Sequence, residues 1–420
     1  MVITCNRCLY TSNHPLGITF NNNGLCSGCL IHEEKDSIDW QDRFLELNNI
    51  LRSYRSSEAK YDCIVPVSGG KDSYFIVHQV VNILKMKPLL VSYNKLFNTS
   101  TGIDNLANLR IQFDVDLMQK NINPNVVKAI TRETLQRFGN PYWHCIAGET
   151  VYPVQMAVML KIPLIIWGAH QGLEQVGMFS HFDNVEMTRR YRKDHDLFGN
   201  EANDLLDTFN NLNEEDVLNY RYPPFSDIEA EGIRGIYLGN YIRWDPLAQH
   251  QQMVRDFGFK GLKFSRNFDT YDYNDSFVYS GIHDILKLYK YGYSKVTDHA
   301  CREIRFGRLT REQGKKLVHY YQAQQPDFID LFTSWLGMTN KSLSFVANSF
   351  RNKKLWKETQ PNKWELIIPP VTKGQLTKVS KLNYPNSENS SDKKFPKKFI
   401  TIGKGVDWPS TKKTKDIKWL

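Results

Sequence analysis

The chain has 420 residues, of which 41% are hydrophobic and 13% aromatic, and its formal net charge is +9. This composition excludes a wholly disordered chain, and the length suits about two or three folded units. Residues 351–420 contain 17 Lys and Arg against 6 Asp and Glu, whereas residues 1–350 carry a net charge of −2. We therefore expect no nucleic-acid-binding surface on residues 1–350, because such a surface must neutralise many phosphates.

No targeting or membrane segment is evident in the sequence. The start, MVITCNRC, lacks a basic region followed by an apolar one. No stretch approaches the roughly 18 apolar residues that suggest a membrane-spanning helix. We expect a cytoplasmic protein, in which seven cysteines are better explained by metal binding or catalysis than by disulfides.

Four of the cysteines form two Cys-x2-Cys pairs near the N-terminus. Cys5 and Cys8 are followed, after 17 residues, by Cys26 and Cys29, a spacing typical of a structural zinc site. Four thiolates complete a tetrahedral shell and leave no position for water, so the metal is expected to stabilise the fold rather than to catalyse. Iron in the same site, or four unrelated buried cysteines, are the alternatives.

A glycine-rich turn joins a predicted strand, Cys63–Val67, to an amphipathic helical pattern over residues 73–86. The turn reads Ser68-Gly69-Gly70-Lys71-Asp72-Ser73. Glycines at a helix N-terminus let backbone amides and the helix dipole hold phosphate, and the two serine hydroxyls add donors. Lys71 can balance phosphate charge, and Asp72 can orient the loop or help to hold Mg²⁺. The turn matches neither the Gly-x4-Gly-Lys-Ser/Thr loop nor the Gly-x-Gly-x-x-Gly fingerprint.

The six-residue turn resembles the SGGxDS signature of the PP-loop ATP pyrophosphatases. That resemblance implies an adenine nucleotide alpha-hydrolase-like fold in which the loop binds the pyrophosphate of ATP. It also implies a reaction in which AMP is transferred to a carbonyl oxygen, which a nucleophile then displaces.

Strand and helix patterns alternate after the loop. Strands are predicted at Pro88–Tyr93, Val115–Gln119 and Ile162–Gly168, and helices near 103–112, 125–138 and 149–160. This order predicts an α/β fold with a doubly wound parallel sheet and with ligands at the carboxyl ends of the strands. The resemblance implies that Ser92 and Asn94 frame adenine and ribose. It also implies that Gly168, His170 and Glu174 lie near the reacting carbonyl or Mg²⁺.

Two branches of this superfamily join a cysteine-rich ribbon to such a loop. Enzymes that thiolate tRNA need downstream catalytic cysteines, whereas this chain has only Cys145 and Cys301 there, each without a Cys-x2-Cys partner. The other branch comprises the N-acetyl sugar amidotransferases of surface-polysaccharide (lipopolysaccharide and O-antigen) biosynthesis. Residues 237–246 and 286–312 are similar to signatures of these amidotransferases. Tyr320-Tyr321-Gln322 departs from the Lys-Tyr-Asp that typically ends the C-terminal signature.

The second resemblance implies an ATP-dependent enzyme that adenylates the acetamido oxygen of a nucleotide-linked N-acetyl sugar. Ammonia would then replace this oxygen to give an acetamidino sugar, AMP and pyrophosphate. Arg302, Arg305 and Arg308 recur at helical spacing and suit the diphosphate of such a substrate, and Trp244 can stack on a sugar or base. The alternative is a solvated basic helix face and an ordinary aromatic core.

The resemblance also implies partner proteins, because no cysteine lies in a Gly-Cys-Gly elbow and we recognise no glutaminase in the sequence. Ammonia is then expected from a glutaminase and a cyclase-like subunit of the histidine-biosynthesis type. A tRNA-thiolation enzyme of the same superfamily and a non-catalytic nucleotide-binding scaffold are the alternative functions.

We divide the chain into four parts. These are a zinc ribbon at 1–35, an ATP-binding α/β domain at 36–235, a helical substrate or partner region at 236–350, and a basic, partly disordered tail at 351–420. In the tail, Phe399–Ile402 predicts a short strand and Trp408 an anchor. The tail lysines could contact an acidic partner or a membrane surface, or could only aid solubility.

Overall fold

The computed structural model describes residues 2–206, 212–271, 277–361 and 363–367, and the backbone of Gly405–Val406. The helices in these ranges are α1 (Ser27–Glu34), α2 (Trp40–Arg52), α3 (Lys71–His78), α4 (Ser100–Phe113), α5 (Pro124–Phe138), α6 (Trp143–Leu160), α7 (Arg189–Tyr191), α8 (Glu214–Leu218), α9 (Phe225–Ala230), α10 (Pro246–Phe257), α11 (Ser280–Tyr291), α12 (Lys295–Arg305), α13 (Arg311–Gln322), α14 (Ile329–Leu336) and α15 (Asn340–Ser349). The strands are β1 (Cys63–Pro66), β2 (Pro88–Tyr93), β3 (Asn98–Thr99), β4 (Leu117–Lys120), β5 (Leu164–Trp167), β6 (Arg234–Tyr237), β7 (Trp356–Gln360), β8 (Lys363–Leu366) and β9 (Gly405–Val406). Single π-helical turns follow at Gln79–Ile83, Gly172–Val176 and Arg192–Asp196.

Five parallel strands form the central sheet in the order β4-β2-β1-β5-β6. Successive residues of a strand point to opposite faces of the sheet. Cys63 and Val65 of β1 accordingly share a core with α3, α4 and α10, whereas Ile64 shares a core with α6. Helices thus cover both faces of the sheet, as is typical of parallel sheets. The predicted α/β fold with a parallel sheet is therefore confirmed.

The strand order reverses between β1 and β5, since β2 and β4 lie on one side of β1 while β5 and β6 lie on the other. The connections that leave β1 and β5 therefore diverge, which opens a crevice at their carboxyl ends. The glycine-rich loop follows β1, and the π-helical turn Gly172–Val176 comes shortly after β5. This crevice holds the candidate site.

The α/β core extends further along the chain than predicted. β6 spans Arg234–Tyr237 and so crosses the expected domain boundary between residues 235 and 236. Ile236 and Leu238, which follow that boundary, are buried in the same core as α3. Helix α10 packs against α3 in that core, with Met253 fully buried. The boundary at 235/236 therefore cuts through a strand of the central sheet.

The N-terminal ribbon packs against the helices of the C-terminal region. The four cysteines share a buried core with Val296, Ala300 and Cys301 of α12 and with Leu317 and Val318 of α13. A second C-terminal core joins α5 and α11 to α14 and α15. The mainly helical C-terminal region is confirmed, and α12 and α13 connect it to the ribbon.

The first residues of the predicted tail form a hairpin of β7 and β8. The Arg351 guanidinium carbon lies 3.4 Å from the ring centre of Tyr289 and 4.4 Å from that of Trp356, so the hairpin is attached to α11. β9 pairs in parallel with β3. The predicted strand Phe399–Ile402 and the predicted anchor Trp408 lie outside the described residues.

Candidate active site

The glycine-rich loop leaves the carboxyl end of β1 and turns directly into α3. The amide of Ser68 donates a hydrogen bond to Ser73 Oγ at 3.0 Å, which closes the turn. Gly69 has a φ of +84°, and a Cβ at this position would lie 2.7 Å from the carbonyl oxygen of Gly102. Gly70 is the N-cap of α3 and has no side chain to cap the first turn of the helix. These are the features of a backbone anion site at a helix N-terminus.

Lys71 and Asp72 follow these glycines and line a cavity of about 160 Å³. Lys71 is 2% exposed, its Nζ lies 2.6 Å from Asp72 Oδ1, and the same atom lies 5.6 Å from the ring centre of Tyr271. The Asp72 side chain is about half exposed. The loop therefore presents a buried cation and an accessible carboxylate to one cavity.

The opposite wall of the cavity is built by α12 and by the π-helical turn after β5. Six of the predicted site residues line the cavity as a whole: Lys71, Asp72, Glu174, Trp244, Arg302 and Arg305. His32, Lys295 and Asp298 line it too, and sequence reasoning did not include them. The fold thus brings the loop next to a helix that lies more than two hundred residues further along the chain.

Glu174 is held by a lysine that belongs to no recognised sequence motif. Lys35, 2% exposed at the end of α1, places its Nζ 2.5 Å from Glu174 Oε2 and donates to the Trp244 carbonyl at 3.3 Å. Glu174 Oε1 is buried and has no hydrogen-bond partner among the described residues. One carboxylate oxygen thus keeps its acceptor capacity beside the cavity.

Asp298 ties the ribbon to the cavity wall. Its Oδ1 accepts from the Tyr10 hydroxyl at 2.7 Å, and its Oδ2 accepts from Lys287 Nζ at 2.5 Å. Burial alone would raise the pKa of Asp298, but the ammonium groups of Lys287 and Lys295 hold it below its ordinary value. Asp298 is therefore a buried, paired carboxylate.

The three predicted arginines on α12 and just after it are largely occupied by protein groups. Arg302 binds Asp269, the Tyr271 hydroxyl at 2.7 Å and Glu303 at 2.7 Å. Arg308 binds Asp245 and lies 3.3 Å from Glu303, and it does not line the cavity. Their helical spacing predicted a shared face, but not the carboxylates that meet this face.

Arg305 packs against the cysteines rather than pointing freely into the cavity. It donates to the carbonyl of Gln175 at 2.8 Å and lies 3.9 Å from the Cys26 sulfur. Its guanidinium carbon also lies 5.2 Å from the centre of the Tyr10 ring. Arg305 therefore supplies a buried positive charge next to the cysteine cluster.

The Trp244 indole belongs mainly to the core. It is 2% exposed and meets Phe75 edge-on, with ring centres 5.3 Å apart at 89°. A Cβ on Gly168 would lie 3.2 Å from this indole and 2.8 Å from Ile76, so the glycine allows these side chains to pack closely. Part of the indole still lines the cavity, but its faces are used in packing.

His170 does not line the cavity. Its Nδ1 accepts from the amide of Gly172 at 3.1 Å, and its ring packs against Phe179, Tyr191 and Tyr237. Burial lowers the pKa of His170 to about 3, so the imidazole is neutral at physiological pH. A catalytic role for His170 stays a prediction.

Ser92 and Asn94 lie at the carboxyl end of β2, as predicted. Ser92 is 3% exposed and pairs with Gln119 of β4. Asn94 shapes the turn, since its Oδ1 accepts from the Leu96 amide at 3.0 Å and from Asn98 Nδ2 at 2.6 Å. Their predicted contacts with adenine and ribose stay predictions.

The four predicted cysteine ligands form a single buried cluster. Their sulfur atoms all lie within 4.8 Å of one another, with Cys8 and Cys26 3.5 Å apart and Cys5 and Cys29 3.9 Å apart. Tetrahedral zinc with Zn–S bonds of about 2.3 Å separates its sulfur ligands by about 3.8 Å. The donor set and spacing therefore fit a structural zinc ion, whose negative thiolate shell Arg305 would partly balance.

No helix in the described ranges combines the length and apolar character needed to cross a membrane.

Comparisons with known proteins find similarity over parts of the chain. Residues 263–369 match the family model described as LPS biosynthesis protein WbpG-like, C-terminal domain. Over 114 residues the chain is 29% identical to the uncharacterized protein MJ1599 of Methanocaldococcus jannaschii, a match that covers 27% of this chain and 41% of that protein. Among solved structures it is similar to an NH3-dependent NAD synthetase from Campylobacter jejuni, with a TM-score of 0.28 and 14% identity over 46% of this chain and 92% of that one. The segment that matches the lipopolysaccharide family model includes α12, which forms one wall of the cavity.

Proposed function

We propose that the protein is a cytoplasmic, ATP-dependent amidotransferase of lipopolysaccharide or O-antigen biosynthesis. It would convert the acetamido group of a nucleotide-linked N-acetyl sugar into an acetamidino group, with release of AMP and pyrophosphate. One observation carries the proposal. A glycine-rich anion loop and a helix from the segment that matches the lipopolysaccharide family model face each other across one cavity.

The loop supports the ATP half of the reaction. The helix N-terminus after Gly70, which has no capping side chain, suits the pyrophosphate that leaves, and Lys71 brings a positive charge to the same cavity. Asp72 and Glu174 are carboxylates on the cavity wall that would hold Mg²⁺. Bound Mg²⁺ supplies further neutralisation of the leaving pyrophosphate.

The chemistry requires activation, because ammonia does not displace the oxygen of an amide unaided. Attack of the acetamido oxygen on the α-phosphorus of ATP forms an O–P bond and breaks the bond to pyrophosphate. Ammonia then attacks the imidate carbon, and AMP leaves with the former acetamido oxygen. The cavity would hold the reactants in line for both steps.

We expect the ammonia to come from a separate glutaminase paired with a cyclase-like subunit. Cys63, Cys145 and Cys301 are fully buried, and a glutaminase nucleophile must be reachable by its substrate. Free ammonium should replace the partner proteins in vitro.

The tRNA-thiolation alternative is less well supported. Cys145 lies in the core shared by α5 and α11, whereas Cys301 lies in the core beneath the ribbon. Neither residue lines the 160 Å³ cavity. Cys145 and Cys301 therefore do not form the pair of catalytic cysteines beside the loop that tRNA thiolation would need.

The test is a reconstituted reaction. The protein is incubated with ATP, Mg²⁺, ammonium and a panel of nucleotide-linked N-acetyl sugars, and AMP, pyrophosphate and product mass are measured. We expect sugar-dependent AMP formation and a product lighter by the difference between O and NH. Pyrophosphate release that needs tRNA and a sulfur donor would refute the proposal, and ATP binding without turnover would favour the scaffold alternative.

Asp72→Ala is the matched variant for this assay. It should lower AMP formation by about 100-fold or more, since charge stabilisation of the leaving group is lost. Its zinc content should be unchanged, because Asp72 lies apart from the cysteine cluster. AMP formation at the wild-type rate would show that the loop is not the ATP site.

A further inference from the structure

A second and larger cavity adjoins the one beside the loop. It has a volume of about 500 Å³, within the range of small-molecule sites. Gln171, Gln175, Lys295 and Asp298 line both cavities. A ligand in the larger cavity can therefore present one of its groups to the smaller cavity across this shared wall.

Cationic side chains of the larger cavity differ in what they bind. Arg192 pairs with Asp196 at 2.7 Å, and Lys287 pairs with Asp298. By contrast, Lys290 donates to the Phe138 carbonyl at 3.1 Å and has no carboxylate partner among the described residues. Two of the cations are therefore already neutralised by carboxylates.

Lys295 is the least committed of these cations. It begins α12 at the shared wall, where its charge helps to lower the pKa of Asp298, but its ammonium forms no ion pair within 4.0 Å with a described carboxylate. Together with Lys290 it offers positive charge that an anionic ligand can bind. Ser280 Oγ and His283 Nδ1, in the same cavity, are buried polar atoms without a partner in the described ranges.

Four carboxylates also line the cavity, and each forms an ion pair: Glu149 with Lys95, Asp196 with Arg192, Asp284 with Arg266 and Asp298 with Lys287. Among the described residues of the wall, Lys290 and Lys295 are therefore the cations left for a ligand. Two cations without carboxylate partners favour phosphate, and hydroxyl groups would satisfy the unpartnered polar atoms of the wall. Phe198, 45% exposed, and Tyr291 add aromatic surface, with ring centres 6.2 Å apart at an interplanar angle of 21°. Aromatic rings of this kind can pack on a sugar or a base.

We propose that the larger cavity binds the phosphate-linked N-acetyl sugar, with Lys290 and Lys295 on the phosphate and the acetamido group at the shared wall. This assignment rests on the proposed function and replaces the arginines that the sequence suggested. In a UDP-linked N-acetyl hexosamine the acetamido group and the phosphate occupy neighbouring ring carbons. A cation at the shared wall therefore meets the phosphate when the acetamido oxygen faces the ATP loop.

The experiment measures binding of UDP-N-acetylglucosamine to the full-length protein by calorimetry, without ATP. Lys290→Met and Lys295→Met should each weaken binding roughly tenfold or more, because a charged hydrogen bond is lost. Lys161→Met is the matched control, since Lys161 is 74% exposed and pairs with Glu231 on the surface. ATP affinity should be unchanged in Lys290→Met, whose side chain does not line the smaller cavity.

Two outcomes would overturn the assignment. One is no binding of the probe by the wild-type protein, and the other is wild-type affinity in both lysine variants. The proposed function fails separately. Suppose that the probe binds and that binding depends on Lys290 and Lys295, but that no nucleotide-linked sugar supports AMP formation. The binding site is then supported and the proposed reaction is refuted. If AMP forms but neither lysine variant changes the KM for the sugar, the proposed reaction is supported and the binding site is refuted.

Discussion

The Lys35–Glu174 ion pair allows a quantitative prediction about the wall of the candidate active site. Lys35→Met removes the cation and leaves a largely buried carboxylate, because Glu174 is 14% exposed and its Oε1 has no partner among the described residues. Breaking a buried pair from one side costs about 3–5 kcal/mol. Since Glu174 keeps some contact with solvent, we expect the lower end of that range, about 3 kcal/mol.

A double-mutant cycle isolates the pair from other effects of the substitution. Lys35→Met/Glu174→Gln removes both charges, so it should be less destabilised than the sum of the single variants by about 2 kcal/mol. Lys60→Met is the matched control. Lys60 pairs with Asp116 at 3.0 Å on the surface, where it is 75% exposed, so no measurable change is expected.

Hydrogen–deuterium exchange is the suitable assay, because it reports local opening of the chain segments that carry the pair. A loss of about 3 kcal/mol corresponds to roughly 100-fold faster exchange, at about 1.4 kcal/mol per factor of ten. The increase should appear in peptides covering residues 30–36 and 172–178. Exchange in Lys35→Met within about twofold of wild type, or additive effects in the cycle, would show that the pair is solvated and would refute the reasoning.

Three further predictions concern the loop, the metal cluster and acid stability. Gly69→Ala should destabilise the protein by about 1–3 kcal/mol and weaken ATP binding in calorimetry. Gly199→Ala is the control for backbone strain, because Gly199 has a φ of +81° and an added Cβ would have nothing within 4 Å. Arg305→Leu should weaken zinc retention about 10- to 100-fold in chelator competition. Arg308→Leu is the control, and an equal loss of zinc in this variant would show that the cluster does not depend specifically on the buried charge of Arg305. His170 binds a proton on unfolding between its folded pKa of about 3 and its unfolded pKa of about 6.5, so stability falls as the pH drops through this window. Between pH 6 and pH 4, the free energy of unfolding of His170→Phe should fall by about 1.4 kcal/mol less per pH unit than that of the wild type. An unchanged slope would contradict a buried, neutral His170.

The parts of the fold that could be predicted from the sequence are those with a local signal. β2 was predicted with its observed bounds, because Pro88–Tyr93 is a short apolar run that is buried along its whole length. The cysteine cluster followed from spacing alone, since two Cys-x2-Cys pairs bring their sulfurs together. The loop followed from glycines placed where a strand becomes a helix.

The rest of the site depends on pairings across long stretches of chain. Lys35 and Glu174 are 139 positions apart, and Tyr10 and Asp298 are 288 apart, so no periodicity connects them. The helical spacing of Arg302 and Arg308 did not place both at the cavity, because α12 ends at Arg305 and Arg308 does not line the cavity. It also did not reveal their partners Asp269 and Asp245, because those carboxylates precede the helix in irregular segments of the chain.

The most direct test of the proposed reaction follows the acetamido oxygen. A nucleotide-linked N-acetyl sugar that supports AMP formation is prepared with ¹⁸O in its acetamido group and incubated with the protein, ATP, Mg²⁺ and ammonium. If the oxygen is adenylated and displaced, AMP carries the ¹⁸O label in an amount equal to the acetamidino sugar formed. Unlabelled AMP would mean that water, rather than the sugar, attacks ATP, and it would contradict the proposed amidotransferase.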